Sequence, residues 1–255
     1  MKTELGLAGT VVLVTGGVRG VGRGIAAVFL AHGARVITCA RHEAPTAAEF
    51  VRCDVRAEEQ VAALVEGIVE RHGRLDVVVN NAGGAPYAPA AEAPPRLHEK
   101  IVQLNLLAPL LVSQHANAVM QRQDAGGSIV MISSVSGTRA SPGTAAYGAA
   151  KAGLDNLTAS LAVEWAPKVR VNALDVGMVR TEQAHQHYGS EAAIEAIGKT
   201  VPLGRLAEPE EVGACAAFLA SPLASYVSGA TLRVHGGGEV PAFLAAADVN
   251  HREDS

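Results

Sequence analysis

The 255-residue sequence predicts an α/β fold: a doubly wound parallel sheet of about seven strands with helices on both faces. Three observations carry this. Short runs of Val, Ile and Leu alternate with longer Ala-rich stretches of helical periodicity, the pattern of parallel strands joined by right-handed helical crossovers. The runs are continuously apolar rather than alternating, so both faces of the sheet are to be covered. The first run leads straight into a glycine-rich turn that opens the first helix.

In order, the strand candidates are Val11–Thr15, Arg35–Ala40, Phe50–Cys53, Leu75–Asn80, Ser128–Ser133, Val169–Leu174 and Thr231–Val234. Helical patterns lie between them, at Val21–His32, Glu58–Arg71, His98–Gln121, Ala145–Trp165 and Glu210–Ala220. The second and third strands are joined by only about ten residues, with Pro45 among them, which leaves no room for a full helix. No internal repeat or linker interrupts the pattern, so residues 1–255 are expected to form one domain. Within it, residues 178–206 read as a helical substrate lid, and the charged end, 248–255, as a flexible tail.

The chain is 49% hydrophobic, enough for a large core. Its 21 Lys and Arg against 25 Asp and Glu give a net charge of −4. No basic run suggests nucleic acid or a membrane surface as partner. No apolar run reaches the roughly 18 residues of a membrane span, and Val11–Val14 is too short for a signal-peptide core, so a cytoplasmic location is expected. Cys39, Cys53 and Cys215 fall at no metal-ligand spacing and read as free thiols in a reducing compartment, Cys39 and Cys53 lying on neighbouring strands. His185 and His187 lack a third ligand at a known spacing, so no metal is assigned.

The glycine turn is Thr15-Gly16-Gly17-Val18-Arg19-Gly20-Val21-Gly22. Between a strand and a helix, such a turn lets the backbone approach a pyrophosphate, and the helix N-terminus offers free N–H groups and the positive end of its dipole. This is a Rossmann-type arrangement. An NAD site wants a carboxylate at the end of the second strand for the ribose 2′-hydroxyl. Here the position is Ala40, followed by Arg41, with Arg19 in the glycine turn. Two guanidinium groups can clamp a 2′-phosphate, which favours NADP over NAD. Asp54-Val55 ends the third strand, where an adenine edge would lie, and Asn81-Ala82-Gly83 ends the fourth, at the carboxyl edge of the sheet. Read alone, Asp54 is a helix cap and Asn81 a turn residue.

Tyr147 and Lys151 sit four apart on a predicted helix and share one face. A phenol ionises near pH ~10, and a cation within about 4–6 Å pulls that value down. Such a pair can exchange a proton with a substrate oxygen. Ser134 lies thirteen residues before Tyr147, with Ser133 and Ser136 as rivals. Asn105 stands among leucines mid-helix, either a core amide satisfied by backbone or part of the site.

Taken together, Thr15–Gly22, Asp54-Val55, Asn80–Gly83, Asn105, Ser134, Tyr147 and Lys151 resemble, in order and spacing, the short-chain dehydrogenase/reductase family in its compact single-domain branch. The likeness runs over roughly residues 8 to 240 and looks most like bacterial 3-oxoacyl reductases. It implies that Tyr147 is the general acid and base, that Lys151 lowers its pKa and holds the nicotinamide ribose, and that Ser134 bonds the substrate oxygen. It also implies that Asn105 helps hold a water joining Lys151 to solvent, and that Gly177, Val179 and Thr181 line the nicotinamide. A homo-oligomer, dimer or tetramer, built through the helices of Asn105 and Tyr147 is implied as well. The sequence departs from the family at Val176-Gly177, where Pro-Gly is common, and at His235-Gly236-Gly237, where Asp-Gly-Gly is frequent. The expected function is an NADP(H)-dependent oxidoreductase interconverting a small-molecule secondary alcohol and its ketone. The alternatives are a non-catalytic NADP-binding sensor or scaffold and, among enzymes, use of NAD.

Overall fold

The computed structural model describes residues 4–246, so the expected tail at 248–255 lies outside the described residues. Seven strands form one parallel sheet: β1 (Val11–Thr15), β2 (Arg35–Ala40), β3 (Glu49–Arg52), β4 (Val77–Asn80), β5 (Gly127–Ile132), β6 (Val169–Val176) and β7 (Thr231–Val234). Their order across the sheet is β3-β2-β1-β4-β5-β6-β7. The order reverses between β1 and β4, and an open sheet of this kind leaves its ligand crevice above that switch point, at the carboxyl ends of the strands. β1 and β4 are buried along their whole length, as continuous Val-rich runs require.

The helices are α1 (Gly20–Ala31), α2 (Glu58–His72), α3 (Pro95–Val102), α4 (Ala108–Met120), α5 (Ala145–Glu164), α6 (Ala184–Tyr188), α7 (Glu191–Gly198) and α8 (Pro209–Ala220). One core face packs residues of α2, α4 and α5 on the sheet, the other residues of α1 and α8. Local chemistry fixes the helix ends. α2 has Glu58 and Glu59 in its first turn, Arg71 and His72 in its last, and left-handed Gly73 (φ 76°) beyond, each favourable for the dipole or the stop. α8 starts at Pro209, with the Glu208 N–H donating to Glu211 Oε2 at 2.8 Å. No helix joins β2 to β3, as the short Pro45 connection requires.

The single helix expected over His98–Gln121 is instead α3, a wide π-helical turn at Gln103–Leu107, and α4. Pro109 explains the break. Proline has no N–H, and its ring would strike the carbonyl four residues back, which is that of Asn105. The turn widens there, and the Ala108 N–H reaches back five residues to the Gln103 carbonyl. The stretch 178–206 holds the two short helices α6 and α7.

Candidate active site

A cavity of about 670 Å³ runs along the carboxyl ends of the strands, from Arg41 and Asp54 at one end to Ser134, Tyr147 and Lys151 at the other. The sequence-predicted residues Gly16, Val18, Arg19, Gly20, Val21, Gly22, Arg41, Asp54, Val55, Asn81, Ala82, Gly83, Gly177, Val179 and Thr181 all line it. Thr15, Gly17 and Asn105 stand behind its wall, and their contacts show what they do there.

Thr15 ends β1 and ties the β4 loop down. Its hydroxyl oxygen accepts from Asn81 N and Ala82 N, both at 3.0 Å. The Asn81 side chain answers by donating to the Thr15 carbonyl at 2.9 Å. Gly22 then packs so closely that a β-carbon would strike Asn81 Nδ2 and the Gly16 carbonyl. Only a glycine there lets α1 start beside this loop. Gly17 is buried against Thr38 of β2.

Asn105, fully buried in the π turn, binds the next stretch of the same loop. Gly84 N donates to its Oδ1 at 2.8 Å, and its Nδ2 donates to the carbonyls of Gly84 and Ile101, both at 2.9 Å. The side-chain amide is therefore satisfied by backbone, and it positions the loop. A β-carbon on Gly83 would come within 2.7 Å of Asn105 Oδ1 and 3.5 Å of Lys151 Nζ, so loop, amide and ammonium meet at one point.

α5 presents Tyr147 and Lys151 to the cavity on one face. Lys151 is buried, and its Nζ donates to the Ile132 carbonyl at 2.7 Å and lies 5.5 Å from the Tyr147 ring centroid. Burial lowers its pKa to about 8, with Asp155 opposing that fall. The Tyr147 phenol moves the other way. Burial raises its pKa, the hydrogen bond from Ser134 favours the phenolate, and Tyr188 adds to the rise. The expected lowering by Lys151 does not appear: the ammonium sits over the ring and is turned to Ile132, so desolvation wins.

Of the three candidate serines, Ser134 is the one that meets Tyr147. It also caps a short turn, its Oγ accepting from Ser136 N at 3.2 Å. Ser133 donates to the Lys151 carbonyl at 3.3 Å. At the other end, Arg56 donates to Asp54 from Nε at 2.9 Å and Nη2 at 2.6 Å, holding that carboxyl below its usual range. Arg41 is exposed at the cavity mouth, next to Ala40.

Sequence reasoning missed several residues. Tyr87 is 78% exposed and lies on Gly143. A second aromatic beside Tyr147 lines the cavity, Tyr188 of α6. Glu182 accepts from Gly20 N at 2.8 Å, closing the segment after β6 onto the start of α1. Asp155 is one turn past Lys151, and its four-residue spacing was the only signal for it. The two family departures sit together: Gly177 N donates to Val234 O at 3.0 Å, and a β-carbon on Gly177 would come within 2.9 Å of His235 Cα. Among the described residues, no group of three metal-ligating side chains occurs and no helix is long and apolar enough to cross a membrane.

A parallel sheet of this order, with a glycine turn at the switch point and a Ser–Tyr–Lys cluster at the far end of one long cavity, defines a dinucleotide-dependent oxidoreductase. The comparisons place it more closely. A family model described as enoyl-(acyl carrier protein) reductase, of the short-chain dehydrogenase type, matches residues 16–239. The L-fucose dehydrogenase of Oryctolagus cuniculus is 39% identical over 91% of this chain and 86% of its own. A tropinone reductase homolog of Arabidopsis thaliana is 34% identical over 94% and 96%. The ligand-free aldohexose dehydrogenase of Thermoplasma acidophilum superposes with a TM-score of 0.87, at 34% identity over 91% of this chain and 94% of that one. The chain belongs to the short-chain dehydrogenase/reductase family, NAD(P)-dependent oxidoreductases acting on CH–OH groups.

Proposed function

We propose that this chain is an NADP(H)-dependent oxidoreductase that interconverts a secondary alcohol and its ketone, with Tyr147 as general acid in reduction and general base in oxidation. The observation that carries the reading is the cluster of Ser134, Tyr147 and buried Lys151 on one cavity that continues to Arg41. The residues present fit a dinucleotide: the glycine turn meets the pyrophosphate, the Asn81–Gly83 wall the nicotinamide half, and Arg41 with Arg19 the 2′-phosphate. The bound nicotinamide supplies or takes the hydride.

The protein supplies orientation and the proton. Ser134 holds the substrate oxygen and favours charge developing on it. Tyr147 gives that oxygen its proton in reduction, and its raised pKa keeps the phenol loaded at neutral pH. Lys151 has three N–H bonds, one of them spent on Ile132, which leaves the rest for a ribose hydroxyl and for proton traffic to Tyr147. Gly177, Val179 and Thr181 line the nicotinamide end. Residues 178–206, latched to Gly20 through Glu182, act as the substrate lid. Exposed Leu107 and Val163, beside α4 and on α5, are the apolar surface for a homo-oligomer.

The test is a turnover screen with NADPH and NADH against simple ketones, 3-oxoacyl thioesters and a 2-enoyl thioester, run in oxidation with L-fucose and aldohexoses. Ketone reduction with NADPH supports the reading. Reduction of the enoyl double bond alone, or cofactor binding with no turnover on any substrate, replaces it.

A further inference from the structure

The wall beside Ala40 and Arg41 holds two thiols that the proton-transfer chemistry does not involve. Cys39 lies in β2 and Cys53 just past β3, and both are buried. The register pairs Cys39 with Val51, so Cys53, two residues on, faces the same side of the sheet. Both belong to the same core cluster. Interaction with Cys53 and burial push the Cys39 thiol well above the usual range, while interaction with Cys39 lowers Cys53. Cys53 is thus the member that reaches the reactive thiolate form. Cys215, the third thiol, sits on α8 in the opposite core face.

The backbone of this pair carries the cavity wall. The Cys39 carbonyl accepts from Gly16 N at 2.8 Å, and Cys53 N donates to the Ala40 carbonyl at 3.0 Å. Asp54 follows Cys53 directly. Any movement of either cysteine therefore moves the glycine turn or the Asp54–Val55 wall.

We propose that Cys39 and Cys53 form a peroxide-responsive dithiol that closes to a disulfide and, by closing, weakens dinucleotide binding. The consequence rests on the proposed dinucleotide reading of the cavity; the thiol chemistry does not. The Cys53 thiolate attacks one oxygen of hydrogen peroxide, the O–O bond breaks, and hydroxide leaves and takes up a proton. Cys53 becomes a sulfenic acid. The Cys39 thiol then attacks that sulfur; an S–S bond forms, the S–O bond breaks, and water departs with the Cys39 proton. Two thiols and one peroxide give one disulfide and two waters, with sulfur oxidised and peroxide oxygen reduced. With parallel strands about 4.8 Å apart and a rise of about 3.3 Å per residue, the two Cα atoms stand about 8 Å apart, beyond the roughly 4.4–6.8 Å of a relaxed disulfide. Closure must draw the Cys53–Asp54 end of β3 toward β2, and a bridge so strained is readily reduced.

The experiment treats the full chain with hydrogen peroxide, maps crosslinked peptides by mass, and measures the NADPH dissociation constant before treatment, after it, and after dithiothreitol. The expected result is a Cys39–Cys53 crosslink with the mass loss of two hydrogens, NADPH binding weaker by at least about tenfold, and recovery on reduction. In C39S, dimedone should trap the Cys53 sulfenic acid, and in C53S no crosslink should form. Absence of the crosslink overturns the proposal. So does a crosslink with unchanged NADPH affinity, or an equal loss of affinity in C39S and C53S after peroxide. Reduced protein that forms the crosslink yet never binds a dinucleotide would instead overturn the proposed function and leave the thiol chemistry standing.

Discussion

Lys151 Nζ lies 5.5 Å from the centre of the Tyr147 ring, one helical turn away, while donating at 2.7 Å to the Ile132 carbonyl of β5. The ammonium is held by the sheet, with the phenol beside it. This places a buried cation and a buried phenol at the end of one cavity, with opposite displacements of their pKa values. Burial disfavours the charged form of each, so it pushes the lysine down and the tyrosine up.

The lysine makes stability pH-dependent. Its folded pKa is about 8 against 10.5 for a free side chain. Below about pH 8 both states hold the proton, and the cost of burying the charge, at most roughly 3 kcal/mol, is present in full. Between about 8 and 10.5 the unfolded chain binds the proton and the folded one does not, so this group's contribution to stability rises with pH. Thermal unfolding of the wild type and Lys151→Met from pH 7 to 10 should show the difference between them shifting toward the wild type as pH rises. A difference that stays constant with pH contradicts this.

The tyrosine makes the two reaction directions diverge. In the proposed mechanism, reduction needs the protonated phenol and oxidation needs the phenolate. With the pKa raised by burial, reduction should hold level through neutral pH and fall only in alkaline solution. Oxidation should climb across the same range. Initial rates in both directions from pH 6 to 10 check this, and parallel profiles would count against it.

Arg41→Ala tests the nucleotide preference. Loss of a charge-assisted bond to a phosphate costs about 1.5–3 kcal/mol, so the NADPH dissociation constant should rise roughly 10- to 150-fold, with NADH changed by no more than about twofold. Isothermal titration with both cofactors measures it. An equal loss for both removes the 2′-phosphate assignment.

Asn105→Ala tests the loop anchor. It deletes three side-chain hydrogen bonds, two of them to exposed Gly84, at a net cost of about 2–3 kcal/mol, roughly 1 kcal/mol each. For a chain of this size the midpoint of thermal unfolding should drop by roughly 4–12 °C. An unchanged midpoint would mean that the Gly83–Gly84 loop does not depend on the amide.

The glycine-turn end of the cavity was legible because its signals are local. A strand, a glycine turn and a helix follow one another in sequence, and the Asn81–Gly83 and Asp54–Val55 segments each mark a strand end. The rest required the third dimension. Pro109 was visible in the sequence, yet its effect falls on the carbonyl of Asn105, one turn back, and turns a straight helix into a π turn. Tyr87 and Tyr188 look alike as lone aromatics, and only the path of the chain after β6 shows that Tyr188 faces the cavity. Glu182 reaches Gly20 across 162 residues, a separation no periodicity reports. The sense of the Tyr147 shift was hidden too, because desolvation depends on what covers the ring and not on the spacing to Lys151.

The most direct test of the central claim is single-turnover and steady-state reduction by Tyr147→Phe, with NADPH affinity measured on the same protein. Positioned acid catalysis contributes about 10²–10⁴-fold. The account predicts a fall of that size in kcat with the NADPH dissociation constant within about twofold of wild type. Turnover near the wild-type rate would contradict it.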